Sequence, residues 1–343
     1  MSAEPLYQAS NVSKRFTVGS RFSAQGVRTV HAVDNVSLSI MPGETLGLVG
    51  ESGCGKSTLG RCLSRLYDLT EGTLMFDGAD ISRLSTSAMR PLRQKIQVVF
   101  QDPSASLNPR RRVRELVAEP LRIHLDLTES EVTKRVDTLL EQVGLLPDHA
   151  NRYPHEFSGG QRQRIGIARA IALEPKLVIL DEPVSALDVS VQAQIVNLLA
   201  DLQERLKLTY VFIAHDLSVV RQVSTRIAVM YLGSIVELGN AEDIFSRPSH
   251  PYTHALISAV PQPDIEKAGK RQRIILTGDM PSPVNPPSGC RFHPRCPVSQ
   301  ARCVLERPQL NRMVSGREVA CHFPIAGETI VQGMRLGEIN ALP

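Results

Sequence analysis

The chain has 343 residues, 42% of them hydrophobic and 22% charged, with 39 basic against 35 acidic side chains and a formal net charge of +4. Such a chain can bury one large core and a smaller one, and its charge is too mild to point to nucleic acid. No apolar run approaches bilayer length and Met1-Ser-Ala-Glu-Pro5 does not open a signal peptide, so a cytoplasmic protein is expected.

Leu6 to Val12 reads as a first strand leading to Lys14-Arg-Phe16, where Phe16 is either a core aromatic or a platform for a stacked base. Thr17 to Val30 is polar and bears glycine and serine, which predicts a surface loop. Alternating Val36, Leu38 and Ile40 predict a strand that ends at Met41-Pro-Gly43. Next comes Thr45-Leu-Gly-Leu-Val-Gly-Glu-Ser-Gly-Cys-Gly-Lys-Ser-Thr58, a short apolar strand, a glycine-rich turn and a helix start. Gly50, four residues, Gly55, Lys56 and Ser57 are spaced as a phosphate-binding loop. Gly50, Gly53 and Gly55 let backbone N–H groups close on phosphate oxygens, with Ser52, Cys54 and Thr58 in the same turn. Lys56 supplies a positive charge and the Ser57 hydroxyl suits Mg²⁺. Leu59, Cys62, Leu63 and Leu66 then mark the buried face of a helix whose positive dipole end meets the phosphates.

Thr73-Leu-Met-Phe76 and Ile96-Gln-Val-Val-Phe100 read as strands, the second ending on Gln101, which can complete a Mg²⁺ shell. The basic run Arg110-Arg-Arg-Val-Arg114 is read as a solvated surface. Val132, Val136, Leu139, Leu140, Val143 and Leu146 give an amphipathic helix closed by Gly144-Leu-Leu-Pro147, within what reads as a helical insertion. Phe157-Ser-Gly-Gly-Gln-Arg-Gln163 opens another helix, with Ser158 as N-cap and Gly159, Gly160 and Gln161 exposing backbone N–H groups. Leu177-Val-Ile-Leu reads as a buried strand ending in Asp181 and Glu182, a carboxylate pair too costly to desolvate without a use. Asp181 suits the Mg²⁺ shell and Glu182 the orientation or deprotonation of a water. After Ser185-Ala-Leu-Asp188, a helix carrying Ile195, Leu198, Leu199, Leu202 and Leu206 leads to strand Tyr210-Val-Phe-Ile-Ala214 and then His215. His215 is structural by default, but it stands at the same sheet edge as Gln101 and Glu182. Ile227 to Met230 and Ile235 to Leu238 predict a hairpin across Tyr231-Leu-Gly-Ser234.

From Arg247 the composition changes, and prolines at 261, 263, 281, 283, 286 and 287 suggest a linker near residue 262 and a tail poor in regular structure. Cys290, Cys296, Cys303 and Cys321 crowd that tail. A segment so small needs a staple, and a reducing compartment disfavours disulfides. Four thiols suit a metal centre, with zinc and iron–sulfur as competitors, and His293 or His322 able to replace a zinc ligand. The paired short spacing usual for zinc is absent, whereas irregular spacing and Cys296-Pro297 are compatible with iron–sulfur ligation.

In chain order, Phe16, Gly50 to Ser57, Gln101, Ser158 to Gln161, Asp181-Glu182, Ser185 to Asp188 and His215 resemble the A-loop, Walker A, Q-loop, signature, Walker B, D-loop and H-loop of ABC transporter ATP-binding subunits. Departures are Phe16, where tyrosine is common, and Phe157, where leucine is. Arg152-Tyr-Pro-His-Glu-Phe157, His250-Pro-Tyr-Thr-His-Ala-Leu256 and Pro281-Ser-Pro-Val-Asn-Pro-Pro-Ser-Gly-Cys290 resemble the bacterial dipeptide and oligopeptide permease group. The resemblance implies an α/β fold with a RecA-like core, an antiparallel β subdomain and an α-helical subdomain at about 103–172. It implies a nucleotide-binding domain over 1–262 and an extension over 263–343. It also implies ATP and Mg²⁺ as ligands, with Asp188 at the nucleotide, and a [4Fe–4S] cluster on the four cysteines. The implied partners are a paralogous ATPase subunit, two transmembrane permease subunits and, through them, a periplasmic solute-binding protein, at the cytoplasmic face of the inner membrane. Nickel or another small solute, a non-transport ABC ATPase and a switch without turnover are the rival readings.

Overall fold

The computed structural model describes residues 4–19, 26–102, 106–260 and 274–325. Strand β1 (Tyr7–Val18) pairs antiparallel with β2 (Arg28–Ile40). β3 (Thr45–Val49) follows and runs into α1 (Lys56–Leu63). β4 (Glu71–Phe76) and the short β5 (Ala79–Asp80) complete a four-stranded sheet of order β2-β1-β4-β5. The predicted loop from Thr17 is shorter than expected: Thr17 pairs with Thr29 and Val18 with Arg28, so strand pairing consumes both flanks. Residues 20–25 lie outside the described residues.

α2 (Thr86–Lys95), capped by Ser85, leads into β6 (Ile96–Val99). The helical insertion holds α3 (Val113–His124), α4 (Glu129–Gln142) and α5 (Gly159–Ile171). The basic run that reads as surface is the approach to α3: Arg112 is its N-cap, Val113 is buried, and Arg111 and Arg114 reach Glu119 and Asp137. β7 (Leu177–Asp181), α6 (Val189–Leu206), β8 (Thr209–Ile213), α7 (Leu217–Val223), β9 (Arg226–Tyr231) and β10 (Ser234–Asn240) complete the core, followed by α8 (Ala241–Ser246) and α9 (Pro251–Ser258).

The main sheet orders its parallel strands β6-β7-β8-β3-β9, so the strand that feeds the phosphate loop is central. Successive residues of a strand face opposite sides, and here both sides are buried. Leu177, Ile179, Val211 and Ile213 pack with α1 and the antiparallel sheet, whereas Val178, Leu180, Tyr210 and Phe212 pack with the helical insertion. Alpha-helix α1 stops at Leu63, because Arg65 turns into the left-handed region (φ 54°), and Leu66 is 47% exposed instead of lying on the buried face. Leu146 likewise lies beyond the end of α4 and is exposed, since Gly144 (φ 72°) turns the chain first.

The tail is more ordered than its prolines suggest. It carries α10 (Ala301–Leu305), β11 (Asn311–Arg312) and β12 (Glu318–Val319), and β12 adds antiparallel to β10 through Glu237↔Val319. The extension is therefore a continuation of the core sheet, ordered β11-β12-β10-β9 on that side. Fully buried Arg317 reaches Glu237 at 3.8 Å, and Arg291 and Arg307 both bond Asp34 of β2. The predicted linker near residue 262 falls outside the described residues.

Candidate nucleotide site and cysteine cavity

β3, β6, β7 and β8 run parallel, so the residues that follow them emerge at one edge of the sheet. A cleft of about 700 Å³ opens there, lined by Phe16, Ser52 to Thr58, Gln101, Glu182 and His215. Two glycines of the phosphate loop are required by close approach. A Cβ on Gly50 would sit 2.1 Å from the Met230 carbonyl oxygen, and one on Gly55, at φ 108°, 2.1 Å from that of Ala32. No side chain fits either place without displacing backbone.

Lys56 is buried and donates to the carbonyls of Gly50 (2.9 Å) and Glu51 (3.1 Å), which arches the loop around its ammonium. Ser57 Oγ donates to Asp181 Oδ1 at 2.8 Å. Burial raises the Asp181 carboxyl above its ordinary range, against the Ser57 hydrogen bond and the charges of Arg61 and Lys56. These are hard oxygen donors, with the Gln101 side chain beside them on the cleft wall, and that set suits Mg²⁺. Glu182 takes a left-handed backbone (φ 49°), held by its N–H on the Ile213 carbonyl at 3.0 Å. Such a conformation costs a non-glycine residue about 1 kcal/mol or more. It turns the carboxylate into the cleft, where Oε2 accepts from Gln101 Nε2 at 2.8 Å and lies 3.5 Å from His215 Nδ1.

Phe16 is partly buried and belongs to neither core cluster. Its ring meets Tyr67 edge-on at 5.5 Å and lies 5.0 Å from Lys14 Nζ, yet it still forms part of the cleft wall. Ser158, Gly159, Gly160, Gln161 and Asp188 do not line this cleft. Ser158 and Gln161 form a reciprocal capping box at the start of α5. Gly160 lets that helix approach α6, since a Cβ there would meet Val191 Cγ1 at 2.4 Å. Asp188 is the exposed N-cap of α6, beside Val189, which is 82% exposed.

Sequence reasoning missed one side of the cleft. Leu232 (φ 43°) and Gly233 (φ 84°), the two-residue turn between β9 and β10, line it, as does Pro283 of the extension. The Pro283 carbonyl accepts from His31 N–H at 2.9 Å, and Arg291 donates to the Leu232 carbonyl. A Cβ on Gly53 would touch Met280 at 3.4 Å. Arg295 Nη1 lies 2.9 and 3.1 Å from the two carboxylate oxygens of Glu51 within the phosphate loop. No local pattern signals these contacts, because they join segments distant in the chain, 59 residues apart for Arg291–Leu232 and 244 for Arg295–Glu51.

Cys290, Cys296, Cys303 and Cys321 all line one small cavity, with Phe292, His250, His293 and His322, and all are unbridged. Burial, with the proximity of the other thiols as a lesser cause, pushes the Cys290, Cys296 and Cys321 thiols up, Cys321 to about 12. Among the described residues no three His, Cys, Asp or Glu side chains form a group that could hold a metal ion. That absence bears on the zinc and the iron–sulfur expectation alike, although the four predicted cysteines line the same cavity.

Residues 33–185 match the family model described as ABC transporter, and residues 236–303 the one described as oligopeptide/dipeptide transporter, C-terminal region. The chain is 54% identical over 326 residues to the putative oligopeptide transport ATP-binding protein YkfD of Bacillus subtilis (strain 168), covering 95% of this chain and 97% of that one. It is 53% identical over 321 residues to the oligopeptide transport ATP-binding protein AppF of the same organism, covering 93% and 98%. Among solved structures it resembles the dimeric post-hydrolysis state of the ATP-binding cassette MJ0796 bound to ADP and Pi, with TM-score 0.62 and 32% identity over 68% of this chain and 98% of that one. It also resembles cbiO1 from Clostridium perfringens, part of the ABC transporter complex cbiONQ, with TM-score 0.61 and 29% identity over 71% and 91%. Sharing more than half of its residues with such proteins over nearly its whole length, the chain belongs to the oligopeptide transport ATP-binding proteins of the ABC transporter family.

Proposed function

We propose that this chain hydrolyses ATP to power import of oligopeptides or dipeptides across the bacterial inner membrane, working at its cytoplasmic face. The observation that carries the reading is the single cleft where Phe16, the phosphate loop, Gln101, Glu182 and His215 meet. Lys56 and the loop N–H groups bind the phosphates, and Phe16 stacks on the adenine. Ser57, Asp181 and Gln101 would hold Mg²⁺, whose charge would stabilise the transferring phosphoryl oxygens. Glu182 orients and deprotonates the attacking water, with His215 beside its carboxylate.

The separation of Ser158 to Gln161 from this cleft supports a shared site, in which the N-terminus of α5 and Asp188 cap the nucleotide of a second ATPase subunit. Exposed Val189 beside Asp188 suits such a face. The partners are a paralogous ATPase subunit, two transmembrane permease subunits and, through the complex, a periplasmic solute-binding protein. Among the described residues no helix is long and apolar enough to cross a membrane, which agrees with separate permease subunits. The test is ATP hydrolysis by the reconstituted complex with its binding protein, expected to rise when peptides are added. Stimulation by nickel alone, or by no solute, would reject the peptide reading.

We also propose that Cys290, Cys296, Cys303 and Cys321 hold a [4Fe–4S] cluster as a staple for the extension. Their convergence on one cavity supports it, and a four-iron cluster keeps its four thiolates further apart than a single zinc ion does. Anaerobic purification and metal analysis should give about four irons per chain; one zinc and no iron would reject the cluster.

A further inference from the structure

The loop between Cys290 and Cys296 reaches into the phosphate loop. Glu51 directly follows Gly50, and its carboxylate sits in a turn built to receive a polyanion, where an uncompensated negative charge opposes binding. Arg295 answers that charge: its side chain is 9% exposed, Glu51 is 28% exposed, and one guanidinium nitrogen lies within hydrogen-bond distance of both carboxylate oxygens. Glu51 is also a node of the loop, since its N–H donates to Tyr252 Oη at 2.9 Å and its carbonyl accepts from Lys56 Nζ. The Arg295 guanidinium is seated 6.0 Å above the Tyr231 ring, so it enters from a fixed direction.

Holding the extension in place does not require this pair. Arg291 and Arg307 on Asp34, Arg317 on Glu237, and the β10–β12 ladder already do so. We propose that Arg295 is a positioning residue of the nucleotide site, which fixes and neutralises Glu51 so that the phosphate loop is ready for ATP. The inference rests on the ATP-site reading above, and it makes the C-terminal extension part of the nucleotide site.

The test uses the full-length chain in its assembled complex, with equilibrium MgATP binding and steady-state hydrolysis measured together. Arg295→Ala should raise Kd and KM for ATP about tenfold, as expected for truncating one partner of a largely desolvated charge pair. The value of kcat should stay within about twofold, because Glu182, Gln101 and His215 are untouched. Arg295→Lys should lie between, keeping the charge and losing the planar reach. Combining Arg295→Ala with Glu51→Gln should bring Kd back to within about threefold of wild type, since no unpaired carboxylate then remains. An unchanged Kd in Arg295→Ala overturns the proposal. So does a fall in kcat and affinity together that the Glu51→Gln partner does not repair, because Arg295 would then only support the fold. Lys56→Ala separates the two readings: it should abolish ATP binding, and normal binding in that variant would refute the nucleotide site itself.

Discussion

Glu182→Gln is the sharpest probe of the cleft. Glutamine is the same size, and its side-chain oxygen can still accept from Gln101 Nε2, now 2.8 Å from Glu182 Oε2, so the wall of the cleft and the Asp181–Ser57 pair are retained. What is lost is the ability to take a proton. Removing a positioned general base costs about 10²–10⁴ in rate, or roughly 3–5 kcal/mol of barrier. The upper half of that range is expected, because the Glu182 side chain is 15% exposed and bulk water cannot readily substitute for it. ATP affinity should persist or rise, since a bound nucleotide that is not consumed keeps the shared site closed. Single-turnover hydrolysis in the assembled complex, with ATP binding measured on the same preparation, reads both effects. Glu182→Asp should fall between, as one methylene fewer withdraws the carboxylate from Gln101. Turnover of Glu182→Gln within a few-fold of wild type would show that another group activates the water.

The isolated chain should be a weak ATPase whose rate rises when its partner subunits are added, because Ser158 to Gln161 do not line its own cleft; full activity from the chain alone, by phosphate release, contradicts this. Arg317→Met should lower unfolding free energy by about 3 kcal/mol, the lower end for a broken buried pair, since Glu237 keeps the N–H groups of Ser249 and His250; denaturant titration of the chain measures it. For Asp34, burial alone would raise the carboxyl, but Arg291 and Arg307 outweigh it and hold it below 3.8. Its stabilisation is therefore fully present above that value and lost as pH falls through the lower folded-state pKa. Asp34→Asn should flatten the acid limb of the stability profile, and an unchanged limb by pH-dependent unfolding would remove the pair from the account.

The legible parts of this molecule are those in which spacing and chemistry reinforce each other locally. Gly50 to Ser57 follow an apolar strand and open a helix, and Asp181-Glu182 close a strand with no polar residue before them, so their placement at one sheet edge follows from α/β topology. The four cysteines were legible as a group by composition instead, since four of the chain's six fall between residues 290 and 321. Leu66 and Leu146 misled because helical periodicity does not see the left-handed turns at Arg65 and Gly144 that end α1 and α4 early. The greatest omission was the extension's share of the cleft. Pro283 on the cleft wall and Arg295 on Glu51 carry no motif for these contacts, and the two-residue strand β12 is too short to show a period of two. Their role depends on a tertiary fold-back across more than 200 residues, which neither composition nor spacing encodes.

That fold-back gives the chain a timetable. Ribosomes emit residues from the N-terminus at roughly 5–20 per second, so the 79 residues that follow Asn240 up to Val319 take on the order of 4–16 seconds to appear. During that interval the outer edge of β10, with Ile235, Val236 and Leu238, has no strand beside it and Glu237 lacks its arginine, and until Arg295 appears Glu51 has no counter-charge. An apolar edge of this kind invites pairing with a neighbouring nascent chain. The last portion to be translated thus seals the sheet: a chain cut short before residue 319 would leave the β10 edge bare, and one cut before residue 295 would also leave Glu51 without Arg295.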